Sequence, residues 1–157
     1  VHGHAWGTTT VTGTTEDGGF TTTCTVKVGN HDRAIKITDL YLKDNEVKIV
    51  VRNESNMNIT RFYFNVECYD KNNEPLICNA GGGTDFDGSY RHTIAPGEST
   101  THGRFDFGDF VQPENIGRIV MRLTGYTTDE GYSRTIREEN QRAVDYRTVD
   151  WADTTTK

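Results

Sequence analysis

The chain has 157 residues and a formal net charge of -6. This suits one domain and argues against nucleic acid or a polybasic membrane anchor as partner. Only 33% of residues are hydrophobic, and no apolar run approaches the roughly 18 residues a membrane span needs, so no membrane insertion is expected. The start at Val1, without an initiator Met or a signal peptide, leads us to expect a mature or trimmed form.

Residues 1–28 form a Thr-rich segment with ten threonines and few large apolar residues. Threonine is β-branched and favours extended backbone. Two strands are expected here, over 7–15 and 20–28, divided by the turn signal Glu16-Asp17-Gly18-Gly19. The first has strand propensity but little to bury, with Trp6 and Val11 as its large apolar residues. Such a segment reads as an extended N-terminal arm.

Residues 29–150 carry the sandwich pattern. Ile35 to Leu42 alternates, with Ile35, Ile37 and Asp39 expected on one face, and Asp44-Asn45 turns into Val47 to Val51. Arg61 to Tyr69 has the clearest period-two alternation: Phe62, Phe64, Val66 and Cys68 share one face, Tyr63, Asn65 and Glu67 the other. Asp70 to Pro75 is a turn by composition, and Leu76 to Cys78 reads as a short returning strand. A loop is expected from Gly81 to Gly88, then strands over 89–94 and 99–107 joined by Ala95-Pro96-Gly97-Glu98. Gly117 to Tyr126 and Tyr132 to Arg137 read as a final pair. Residues 137–144 are the only run of good helix formers, and 151–157 read as a tail. Short strands at about ten-residue spacing point to an all-β, antiparallel β-sandwich. The expected core is Ile37, Val47, Ile49, Val51, Phe62, Phe64, Val66, Ile119 and Met121.

Three stretches carry a resemblance: Val50-Val51-Arg52-Asn53-Glu54-Ser55 with Ile59, Phe64-Asn65-Val66-Glu67-Cys68-Tyr69-Asp70, and Ile94-Ala95-Pro96-Gly97-Glu98-Ser99. Together they resemble bacterial extracellular immunoglobulin-like domains, the FxLYD type among them, over about half the chain. The resemblance implies an immunoglobulin-like sandwich and an extracellular or cell-surface setting. It brings no catalytic residues.

The residues offer little chemistry. His2 and His4 form an H-x-H pair, but a copper monooxygenase site needs histidine at position 1, where this chain has Val1. His92 and His102 are expected on adjacent strands, and exposed polar positions account for both. Asp85-Phe86-Asp87-Gly88 lacks the remaining ligands of a calcium loop, so a self-capping turn is expected. No nucleophile elbow, phosphate loop or zinc-protease motif occurs. We therefore expect no enzyme activity, no cofactor and no metal site. The odd cysteine count leaves at least one thiol unpaired, and Cys68 with Cys78 is the candidate disulfide across the 70–75 turn, with two buried thiols as the alternative. Asn53 and Asn58 each head an N-glycosylation pattern in one expected loop. Tyr63, Tyr90, Tyr126, Tyr132, Tyr146, Trp6 and Trp151 are candidates for a sugar-stacking platform, Tyr63 above all, because it lies in the opposite phase to Phe62 and Phe64.

Two function classes follow. In the first, the arm leaves its own domain and adds a strand to a neighbour's sheet, through Trp6, Thr8, Thr10 and Val11, to build a homo-oligomeric filament. This layout resembles that of pilus subunits using donor-strand exchange. In the second, the sandwich is a binding module for carbohydrate or another surface ligand.

Overall fold

The computed structural model describes residues 7–29, 33–43, 46–78, 81–103, 115–136 and 147–150, all-β and without α-helix among them. The candidate anchor Trp6, the His2–His4 pair, Tyr146, Trp151 and the run 137–144 lie outside the described residues.

The arm is a hairpin. Strand β1 (Gly7–Thr14) pairs antiparallel with β2 (Thr21–Val28), from Gly7↔Val28 to Thr14↔Thr21. At its tip Gly19 N donates to Asp17 Oδ1 (3.0 Å) and Thr15 N to Phe20 O (3.0 Å), as the expected turn requires. The ribbon is exposed on both faces from Thr8 to Thr25, and Gly7, Val26, Val28 and Gly29 at its base are half-buried. The two expected strands thus pair with each other, and β1 uses one edge on its own chain. Consecutive Thr-rich stretches close a hairpin more cheaply than either seeks a distant partner, because the loop between them is short.

Strands β3 (Ile35–Lys43), β4 (Glu46–Asn53) and β7 (Ser99–Gly103) form a three-stranded sheet in the order β3-β4-β7. A second sheet runs β10-β8-β5-β6, from β5 (Ile59–Tyr69), β6 (Asp85–Ile94), β8 (Arg118–Thr128) and β10 (Arg147–Asp150). Strand β9 (Ser133–Thr135) shares the outer edge of β8 with β10. The sheets pack face to face, β3 against β10 and β8, and β7 against β6. All nine expected core residues are buried between them, joined by Leu123, Tyr126, Ile59 and Ile94. Burial alternates along β5 as its sequence does.

Four local expectations change. A bulge between Ile37 and Asp39 shifts the register of β3, so Asp39 faces solvent and Leu40 turns inward. Leu76 to Cys78 is not a strand: after the single bridge Tyr69↔Pro75, Leu76 N meets Cys68 O, and Cys78 N turns away to Gly83 O. Asp85 to Gly88 is no loop but the start of β6, because Asn65 of β5 donates to Asp85 (2.7 Å) and Asp87 (3.1 Å). Finally, Ala95–Glu98 does not join a hairpin. It carries the chain from β6 in one sheet to β7 in the other.

Candidate functional site

The outer face of the five-stranded sheet holds the candidate site. Pairing places Arg91, Arg61 and Thr127 in one row across β6, β5 and β8, and Ser89, Tyr63 and Gly125 in the next. A bulge between Tyr63 and Phe64, where β8 carries the extra residue Thr124, bends the sheet beneath them. There a groove of about 490 Å³ is lined by Tyr63, Asp87 and Gly88, by Thr124 and Gly125 of β8, and by Ser133, Arg134 and Thr135 of β9. Gly125 is needed: a Cβ there would stand 2.6 Å from the Arg134 carbonyl oxygen and 3.5 Å from the Tyr63 ring.

The groove is polar around one aromatic ring. Tyr63 OH and Thr127 Oγ1 share a hydrogen bond of 3.3 Å, and Thr127 Oγ1 and Ser133 Oγ another of 3.1 Å. The bond to Thr127 and the one from Arg61, with the charges of Arg61 and Arg91, hold the Tyr63 phenol below its ordinary pKa. Further along the face the Glu67 carboxylate is already paired, while the buried Arg118 Nε has no hydrogen-bond partner. Glu67 accepts from Arg122 and from Tyr69 OH (2.6 Å), and Arg118 lies over the Tyr69 ring at 4.5 Å. Burial would raise the Glu67 pKa, but the bonds from Arg122 and Tyr69 and the charges of Arg122 and Arg118 hold it low.

The other candidates are scattered. Thr8, Thr10 and Val11 lie exposed on the ribbon. Among the described aromatics only Tyr63 lines the groove: Tyr126 is core, Tyr132 is exposed beside Arg134, and Tyr90 lies between the sheets. His92 and His102 stand on different sheets, yet both stack on the Tyr90 ring, at 5.8 and 3.8 Å. Burial, and then the charge of Lys48, push the His102 pKa down, which suits a neutral ring in that stack. Among the described residues no three His, Cys, Asp or Glu side chains stand together to hold a metal.

Asn53 is corrected as a glycosylation site, because it is fully buried and its Nδ2 is bonded to Met57 O and Ile94 O. Asn58 is half-buried and its Nδ2 donates to Asp129 at 2.7 Å. Cys68 and Cys78 are free thiols, not a disulfide, since the register sets Leu76 rather than Cys78 opposite Cys68. Burial, with a smaller contribution from Cys78, pushes the Cys68 thiol up to about 12. Cys24 is exposed on the ribbon. Native protein is therefore expected to take up one equivalent of a thiol reagent at mildly alkaline pH, at Cys24, and three once unfolded. Mass spectrometry of the labelled chain checks this.

Arg61, Arg91, Thr127, Ser133 and Arg134 were not legible as site residues. No motif marks them, and only the pairing of β5 with β6 and β8, and of β8 with β9, brings them toward Tyr63.

No protein-family model matches the chain, and no curated protein matches it in sequence. Among solved structures it is similar to a hypothetical protein from Peptoclostridium difficile 630, with a TM-score of 0.50 and 10% identity over 78% of this chain and 96% of that one. At that identity the likeness concerns the fold alone.

Proposed function

We propose that this domain is a non-catalytic, extracellular binding module that takes a carbohydrate in the groove over Tyr63. The observation that carries the reading is the lining of that groove. One aromatic ring is set among Thr124, Ser133 and Thr135, with acceptors in Asp87 and in the Arg134 carbonyl. A sugar presents apolar C–H faces and a rim of hydroxyls, so it needs a flat ring beneath and donors and acceptors around it. Tyr63→Ala is expected to weaken glycan binding by about tenfold or more, the equivalent of losing one such stacking contact. Titration calorimetry with a glycan selected from an array tests this, with the melting temperature as a control for folding. Unchanged affinity in Tyr63→Ala, or an array without a single bound glycan, would reject the reading.

Assembly remains as a second reading, favoured by the ribbon. An isolated two-stranded ribbon is marginal in water, and this one is exposed on both faces. Pairing with a second copy would cover it, as a hairpin rather than a donated single strand. Electron microscopy of the chain with and without residues 1–28 separates the readings: filaments that depend on the ribbon favour assembly.

A further inference from the structure

The row of residues beside Tyr63 is unusual for a surface left to water. Arg61 and Arg91 stand directly opposite each other on neighbouring strands. Like charges at directly opposed positions repel and weaken the pairing. No carboxylate among the described residues forms an ion pair with either, nor with Arg134. Two other arginines do have acidic partners: Arg122 pairs with Glu67, and Arg52 on the other sheet with Glu54 at 3.1 Å. Arg61 and Arg91 thus stand together in the row beside Tyr63 with no acidic partner among the described residues. The register sets Arg61 and Arg91 one row from Tyr63 and Ser89 on the same face, and their charges favour the ionised Tyr63 phenol. The carboxylates Asp85 and Asp87 lie on the other side of Tyr63, held by Asn65.

We propose that the carbohydrate recognised here is acidic, and that its oxyanion, a uronate carboxylate or a sulfate ester, is bound by Arg61 and Arg91 while a sugar ring stacks on Tyr63. This rests on the carbohydrate-binding reading above. Planar guanidinium groups match the oxygens of a carboxylate or sulfate, and charge-assisted hydrogen bonds are stronger than neutral ones. An anion between the two arginines also removes their mutual repulsion. Asp87 keeps a second anion out of the far end, so one acidic group at one end of the bound sugar is favoured.

The test uses the full chain on an array of matched oligosaccharides: neutral, uronate-bearing and sulfated. At least one acidic member is expected to bind about tenfold more tightly than its neutral counterpart. That preference should shrink as salt rises from about 0.05 to about 0.5 M. Arg61→Gln and Arg91→Gln should each lower the acidic affinity by more than the neutral one, so that the preference shrinks, and leave the melting temperature equal or higher. The uronate and sulfate arms decide which oxyanion it is. Equal affinity for acidic and neutral members, with binding still dependent on Tyr63, overturns the inference and leaves the carbohydrate reading in place. Absence of binding to every member overturns both.

Discussion

Phe64→Ala is expected to cost about 3–5 kcal/mol of folding stability, the range for truncating a buried aromatic side chain. The ring is 3% exposed on the inner face of β5. It packs at 5.9 Å from the Phe62 ring and 6.4 Å from that of His102, and so touches both sheets. Directly opposite it on β6 is Gly88, and the ring fills the space a side chain would take: a Cβ at Gly88 would stand 2.3 Å from Phe64 Cε2. Truncation leaves a cavity walled by two sheets, which cannot collapse without moving a strand. The same geometry makes Gly88→Ala destabilising, by about 1–3 kcal/mol, through overpacking. Because both changes act on one volume, the double variant Gly88→Ala/Phe64→Ala should be more stable than the sum of the single losses implies. Urea unfolding of all four proteins measures the cycle. A loss below about 1 kcal/mol for Phe64→Ala would show that the ring does not span the core.

Asn53→Ala is expected to cost about 2–4 kcal/mol, since it strips partners from several groups buried with it. Its Nδ2 donates to Met57 O (2.7 Å) and Ile94 O (2.8 Å), and its Oδ1 accepts from Ser55 N (2.9 Å) and Ser55 Oγ (2.7 Å). Its backbone N donates to Glu98 O and its carbonyl accepts from Gly97 N, both at 2.9 Å. One residue thus fastens the 54–58 loop and the turn between the sheets to the end of β4. Asn53→Asp adds a pH dependence. It keeps the acceptor for Ser55 but turns the donor into an oxygen facing two carbonyls, which raises the folded-state pKa of the new carboxyl. A carboxyl raised on folding binds its proton more tightly in the native state. Its favourable contribution is therefore present below the unfolded pKa of about 4 and is lost as pH rises from there through the raised folded value. Denaturant melts, each compared with the parent at the same pH, should show the Asn53→Asp substitution more damaging at about pH 7 than at about pH 3. An Asn53→Ala protein within about 0.5 kcal/mol of the parent would contradict the network.

Asn53 also shows where sequence reading stops. Its N-x-S pattern in a polar stretch points to an exposed acceptor, but one of its partners, Ile94 O, lies forty-one residues away in the chain. The Arg61–Arg91 pair is a similar case, and the bonds that hold Asp85 and Asp87 in a strand come from Asn65 on another strand. By contrast, Tyr63 is legible as facing away from the core, because its phase within β5 is a local property.

Local sequence suffices for the alternation along β5, the turns at 16–19 and 70–75, and the apolar residues that fill the core. These follow from neighbours along the chain: a two-residue side-chain period and the backbone preferences of Gly, Asn, Asp and Pro. Only contacts between distant strands settle that 95–98 crosses between sheets and that a groove opens beside Tyr63. Strand order and register depend on which distant edges satisfy each other's hydrogen bonds and which apolar faces fit together. That competition involves the whole chain, and no short window of sequence contains it.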